Sequence, residues 1–132
     1  METLNSRPIA ASVLCALLLI ATPEWAVGSP ARRMARLAKP VRFTATAYCK
    51  GSVTAAGTTP QRGVVAADPD VLPIGVTIAV RELNGGGERL YTVMDTGSKV
   101  QGRHIDLYHP NCHEARRFGR RPVQVRVVSG AW

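Results

Sequence analysis

The sequence predicts a small all-β domain, a closed barrel of six short strands with one short helix. Three observations lead there. Apolar residues between 42 and 130 recur mostly with a period of two, in runs of four to eight. Clusters of Gly, Pro, Asn and Asp separate the runs. Only one stretch carries helix start and stop signals. Six short strands in one domain would leave exposed edges if the sheet stayed open, and closure removes them.

The elements follow in order. RFTATAYC (Arg42–Cys49) alternates Phe43, Ala45, Ala47 and Cys49 against Thr44, Thr46 and Tyr48. A loop rich in Gly, Thr and Pro runs from Gly51 to Gly63. VVAA (Val64–Ala67) is a short, fully buried strand pattern, ended by Asp68-Pro69. VTIAV (Val76–Val80) alternates again. Asn84-Gly85-Gly86-Gly87 is a turn signal, and RLYTVM (Arg89–Met94) returns as a hairpin partner. HIDLY (His104–Tyr108) sets Ile105 and Leu107 on one side, so Asp106 points to the other. Asn111 is placed to cap a short helix, CHEARRF, that stops at Gly119. PVQVRVV (Pro122–Val128) is the last strand. No internal repeat is present.

Ahead of the barrel, Ile9–Ala21 is an uncharged apolar run of thirteen residues preceded by Arg7. That length suits a signal-peptide core better than a membrane span. Ala26-Val27-Gly28 offers small residues for cleavage, so residues 1–28 are expected to be a signal peptide. The residue before Cys15 is not small, which argues against lipidation. Residues 29–41 read as a basic linker and 42–130 as the domain. Cleavage would remove Arg7, Glu2 and Glu24, leaving 16 basic and 7 acidic residues, a net charge of +9. A basic exported chain meets polyanions such as acidic wall polymers. Aromatic residues make up only 5% of the chain and no recognition helix is visible, so nucleic acid is not an expected partner. Export leaves two cysteines, Cys49 and Cys112, and an even count in an oxidising compartment favours one disulfide between them. The expectation is a monomer in the periplasm, cell envelope or extracellular space, with no membrane span after cleavage and no cofactor.

Two aspartates carry the chemistry. Asp95 lies in the tripeptide Asp95-Thr96-Gly97, which in isolation looks like the catalytic loop of an aspartic protease. Only 35 residues follow Gly97, and part of that length is helical. The late apolar-Gly partner motif of such proteases is missing too, since Phe118-Gly119-Arg120-Arg121 is too charged. The protease reading therefore fails. Asp106 follows Asp95 by eleven residues, and a polar loop, TGSKVQGR, joins them. Carboxylates drawn together at a groove raise one another's proton affinity, as a general acid at neutral pH requires. Turn capping or pairing with the basic residues is the plainer use of such aspartates. His104, His109 and His113 lie near Cys112, but Pro110 keeps His109 off the helix and Cys112 is assigned to the disulfide. No metal site is expected.

AYC (47–49), TAAGTTP (54–60), GVVAADPDVLPIG (63–75), MDTG (94–97), GRHIDLY (102–108) and EARRFGRRPVQV (114–125) occur in this order. Together they resemble the three-aspartate (3D) domain of bacterial cell-wall enzymes, the catalytic barrel of the membrane-bound lytic transglycosylase A family and of stationary-phase muralytic proteins. The resemblance covers roughly residues 43–128. It implies a six-stranded double-psi β-barrel and places the three family aspartates at Asp68, Asp95 and Asp106. It implies peptidoglycan glycan strands as the partner, with other wall proteins beside them. It makes Asp106 the acid/base that cleaves the MurNAc–GlcNAc β-1,4 bond to a 1,6-anhydro sugar, with Asp95 holding Asp106 in place. Asp68 becomes a turn or groove residue, and Thr54, Gly57, Tyr48 and Gln101 candidate groove residues.

The sequence departs from the family at the loop after Asp95, where Ser98-Lys99 replaces a small pair and Gln101 stands at a usual lysine. Longer relatives carry a second domain that walls the groove, and none is expected here. Two alternatives stay open: a glycoside hydrolase using Asp95 and Asp106 as an acid/base pair, and a non-catalytic wall-binding or wall-loosening module.

Overall fold

A computed structural model describes residues 35–130. The signal-peptide expectation lies outside the described residues, as does most of the basic linker. Six strands, β1 (Val41–Tyr48), β2 (Val64–Ala67), β3 (Thr77–Glu82), β4 (Glu88–Asp95), β5 (His104–Tyr108) and β6 (Arg121–Ser129), are joined by a helix, α1 (Cys112–Phe118), between the last two, and residues 35–37 are also helical. The strands close into a barrel in the order β1-β5-β2-β4-β3-β6. Two pairs, β1–β5 and β2–β4, run parallel, and the other four are antiparallel. The six-stranded barrel and the short helix before β6 are the architecture the sequence predicted, and the strand bounds agree to within two residues. At the N-terminal end, packing begins earlier than the sequence suggested. Leu37, assigned to the linker, is buried against the core, and Val41 already opens β1.

The period-two pattern explains the closure. Phe43 and Ala45, Ile78 and Val80, Ile105 and Leu107, and Val123, Val125 and Val127 all face inward. β2 is buried along its whole length, which is why its sequence is an unbroken apolar run. Ile78, Ile105, Leu72 and five valines are sealed almost completely. Cutting Ile105 to Ala would cost about 2–5 kcal/mol, because such a core cannot collapse around the hole.

The helix lies outside the strand barrel and packs against β1. Asn111 Oδ1 accepts from the amides of His113 (2.8 Å) and Glu114 (3.4 Å), capping the first turn. Glu114 lies in that turn and Arg116 and Arg117 in the last, matching the helix dipole. Gly119, at φ 64°, ends it in a conformation that a side chain would strain. Arg121 then fastens the helix to the sheet. Its guanidinium donates to the Phe118 carbonyl, stacks on the Phe118 ring at 4.1 Å and pairs with Glu82 at 2.8 Å. Cys49 and Cys112 form the expected disulfide, joining the end of β1 to the start of α1 across 63 residues of sequence.

Candidate active site

The site grows from the parallel pairing of β1 and β5. Their register sets Thr44 opposite His104, Thr46 opposite Asp106 and Tyr48 opposite Tyr108. Because Phe43, Ala45, Ile105 and Leu107 point inward, these six residues share the outer face. Asp95, the last residue of β4, reaches the same region from across β2.

The structure brings Asp95, Tyr48 and Asp106 together. The Tyr48 hydroxyl donates to Asp95 Oδ2 at 2.9 Å. Asp95 Oδ1 accepts from the amides of Ala55 (3.0 Å) and Thr96 (2.9 Å), so both its oxygens are occupied. The Ala55 amide belongs to the long loop after β1, and this contact holds that loop against the barrel. Asp106 is held differently from the expectation. Its Oδ1 accepts from the Thr46 hydroxyl at 2.8 Å, so Thr46 fixes it from the neighbouring strand and Asp95 acts only through its charge. Thr46 Oγ1 is also 2.8 Å from His104 Nε2, and His104 Nδ1 is 3.1 Å from the Lys99 carbonyl.

The electrostatics single out Asp106. Burial pushes its carboxyl above the ordinary carboxylate range. The Thr46 hydrogen bond and the His104 charge oppose that shift, and the negative Asp95 adds to it. Tyr48 is pushed up as well, by burial first and then by its bond to Asp95, so the phenol keeps the proton it donates. Tyr48 and Tyr108 meet edge to face at 5.3 Å, a stiff aromatic flank for the site.

The other candidates are spread out. Asp68 is a pin between loops. Its Oδ1 accepts from the Asp70 amide (2.9 Å) and its Oδ2 from the Gly102 amide (2.7 Å), tying the loop after β2 to the loop before β5. Thr54 is buried, and its hydroxyl engages Thr58 to shape the 54–58 turn. Gly57 lies in that turn at φ 78°, donating its amide to the Thr54 carbonyl at 2.9 Å. Gln101 is exposed beside Gly102. The sequence reading missed Thr46 and His104 as site residues. Their signal was parity, since both alternate with core residues on strands that flank the aspartates, but only the register reveals that they meet.

Cys112 is bound to Cys49, and among the described residues no three His, Cys, Asp or Glu side chains are grouped to hold a metal ion. His109 lies 3.6 Å from Glu114 and stacks near Phe118. Also among the described residues, no helix is long and apolar enough to cross a membrane.

Comparison with known proteins agrees with this architecture. The family model described as the 3D domain matches residues 63–129. The cell wall-binding protein YocH of Bacillus subtilis (strain 168) is 34% identical over 117 residues, covering 82% of this chain and 39% of that protein. The chain thus spans well under half the length of that relative. Among solved structures, MltA of Escherichia coli, reported with a lytic transglycosylase fold, superimposes with a TM-score of 0.53 at 21% identity, over 63% of this chain and 29% of MltA. The Streptomyces papain inhibitor superimposes with a TM-score of 0.54 at 18% identity, over 70% of this chain and 97% of the inhibitor. At these identities the two structures speak to the barrel alone. The family pattern runs from Gly63, before β2, to Ser129 at the end of β6, and takes in Asp68, Asp95 and Asp106; the chain belongs to the 3D domain family.

Proposed function

We propose that this protein acts on the bacterial cell wall as a peptidoglycan lytic transglycosylase with Asp106 as its single acid/base. One observation carries the reading: Asp106 is a half-buried carboxyl with raised proton affinity, beside an Asp95 whose oxygens are already held by three donors. A hydrolase needs a second carboxylate to activate water. Asp95, occupied by Tyr48, Ala55 and Thr96, is poorly placed for that work. A transglycosylase needs one.

In this mechanism protonated Asp106 gives its proton to the glycosidic oxygen as the MurNAc C1–O bond breaks. The resulting carboxylate takes the proton from the muramyl C6 hydroxyl, whose oxygen bonds to C1. One proton leaves and one returns, no water is consumed, and the product is a 1,6-anhydro sugar. The negative charge of Asp95, steadied by Tyr48, favours the protonated form of Asp106 at the start and flanks the cationic character that develops at C1. The family membership and the wall-binding relative support the substrate class. The disulfide fits an exported protein working in the envelope.

The experiment is muropeptide mass spectrometry after incubation with purified sacculi. Anhydro-muropeptides from the wild type and none from Asp106→Asn are expected. A specific observation favours one second reading: the relative of 34% identity is known as a wall-binding protein. If the wild type pulls down with sacculi, releases no product, and binds equally as Asp106→Ala, that reading replaces the first.

A further inference from the structure

We infer that Asp106, Thr46 and His104 form one proton-sharing chain, anchored on the Lys99 carbonyl, in which His104 is a positioning residue for the acid. This inference rests on the transglycosylase reading only for its catalytic consequence. The chain itself rests on a count of hydrogens.

Three contacts link the four groups: Asp106 Oδ1 to Thr46 Oγ1, Thr46 Oγ1 to His104 Nε2, and His104 Nδ1 to the Lys99 carbonyl oxygen. Each needs one hydrogen between its two heavy atoms. The Lys99 carbonyl only accepts, so Nδ1 must carry a hydrogen. Thr46 supplies a second. A neutral imidazole with its hydrogen on Nδ1 has no more to give, and Nε2 then accepts from Thr46. The third hydrogen must be a titratable one, held either by Asp106 Oδ1 or by His104 Nε2. With both groups deprotonated, one contact faces lone pair to lone pair and is lost.

The two arrangements of the third hydrogen interconvert without any outside donor. In one, Asp106 is a carboxylic acid and His104 is neutral. In the other, Nε2–H bonds to Thr46, Thr46 bonds to the Asp106 carboxylate, and His104 is an imidazolium. Going between them, the Nε2–H bond breaks as an Oγ1–H bond forms, and the former Thr46 hydroxyl hydrogen moves to Oδ1. Charge is conserved across the chain. The same hydrogen serves the reaction. Asp106 gives it to the glycosidic oxygen, the chain is left one hydrogen short, and the C6 hydroxyl returns one to Asp106.

Titratable groups border the chain. β1 carries Tyr48, which is turned to Asp95, and Arg42, two residues before Thr44. On the other side β2 sets Ala66 opposite Asp106 and brings no titratable group. From β4 comes Asp95, and Tyr108 on β5 packs against Tyr48. Lys99 contributes its backbone carbonyl.

The test is nuclear magnetic resonance of the full chain with labelled imidazole nitrogens and aspartate carboxyl carbons. His104→Asn assigns the His104 ring signals among the three histidines. Neutral His104 is expected as the Nδ1–H tautomer, with the Asp106 carboxyl carbon and His104 Nε2 sharing a titration step. Thr46→Val should split that step into independent curves, while Thr46→Ser, which keeps the hydroxyl, should preserve it. An Nε2–H tautomer, or independent titration in the wild type, overturns the chain, and the wild-type and Thr46→Ser spectra decide the matter even if Thr46→Val does not fold. No glycan enters this measurement. A coupled pair in a protein that releases no anhydro product would sink the enzymatic reading alone, and anhydro product with uncoupled groups would sink the chain alone.

Discussion

Removing the disulfide by Cys49→Ala with Cys112→Ala should reveal how the barrel keeps its site assembled. The bridge closes a loop of 63 residues. The chain-entropy relation puts the stabilisation from such a loop at about 4 kcal/mol near 25 °C. A small domain of this kind holds about 5–15 kcal/mol in total, so the loss is a large share. Each kcal/mol moves the melting temperature of a domain this size by about 4–8 °C, so a fall of at least roughly 15 °C is expected. The effect should also be local. Cys49 follows Tyr48 directly, and the Tyr48 hydroxyl is one of the three donors to Asp95. With the bridge gone, the end of β1 can fray from β5, and Tyr48 leaves Asp95 before the barrel melts. Differential scanning calorimetry gives the first quantity, and hydrogen exchange of the amides from Ala47 to Lys50 gives the second. A melting point within about 5 °C of the wild type would refute the loop-closure reasoning at this scale. Unchanged exchange at β1 beside a lowered melting point would refute the link to the site.

Asp106→Asn should abolish anhydro product yet melt no lower than wild type at neutral pH. The sign follows from its raised carboxyl. The folded state binds the proton more tightly than the unfolded state, so wild-type stability falls as pH rises from the ordinary carboxylate value through the raised one. The melting-point difference between the two proteins should open across that window, and wild-type activity should decline across the raised value as the acid form is lost. Tyr48→Phe removes a donor to a carboxylate, a loss of about 1–2 kcal/mol in urea unfolding given partial exposure, and should lower cleavage without abolishing it. Asp68→Ala frees the Gly102 and Asp70 amides and should lower stability by about 1–2 kcal/mol. Cleavage per folded molecule should then fall far less than in Asp106→Asn, and an equal fall would make Asp68 part of the chemistry.

Much of the barrel was legible because alternation and turns are local. HIDLY announced its own inward and outward faces, and VVAA its complete burial. Asn111 and Gly119 marked the helix ends correctly for reasons contained within one turn of chain. Strand order was another matter, since no local pattern says that β1 lies beside β5 and not beside β2. That pairing is what makes a site of Thr46 and Asp106, residues 60 apart in sequence. Asp68 was read as a turn or groove residue, and its two oxygens are engaged by backbone amides of two loops, a contact between distant loops that no local pattern announces. Thr54, a candidate groove residue, is buried in its own turn, with its hydroxyl on Thr58.

The distinction between a wall-binding barrel and a wall-cutting one comes down to what the outer face of β1 and β5 presents. A binder needs shape, aromatic surface and hydrogen-bond donors, and Tyr48, Tyr108 and the basic surface would serve one without any carboxyl of raised proton affinity. Burying Asp106 among Thr46, Ala66 and Asp95 has a cost that binding alone does not require, because an ionised carboxylate there is held in poor solvation beside a like charge. A neutral Asn would form the same sheet register and the same link to Thr46 with less strain on the fold. An acid held where an amide would fit is what the proposed proton transfer requires. The stability of Asp106→Asn is therefore as informative as its activity. A variant that is inactive and more stable marks Asp106 as a chemical residue. One that is less stable, with wall binding lost in proportion, marks it as part of the scaffold.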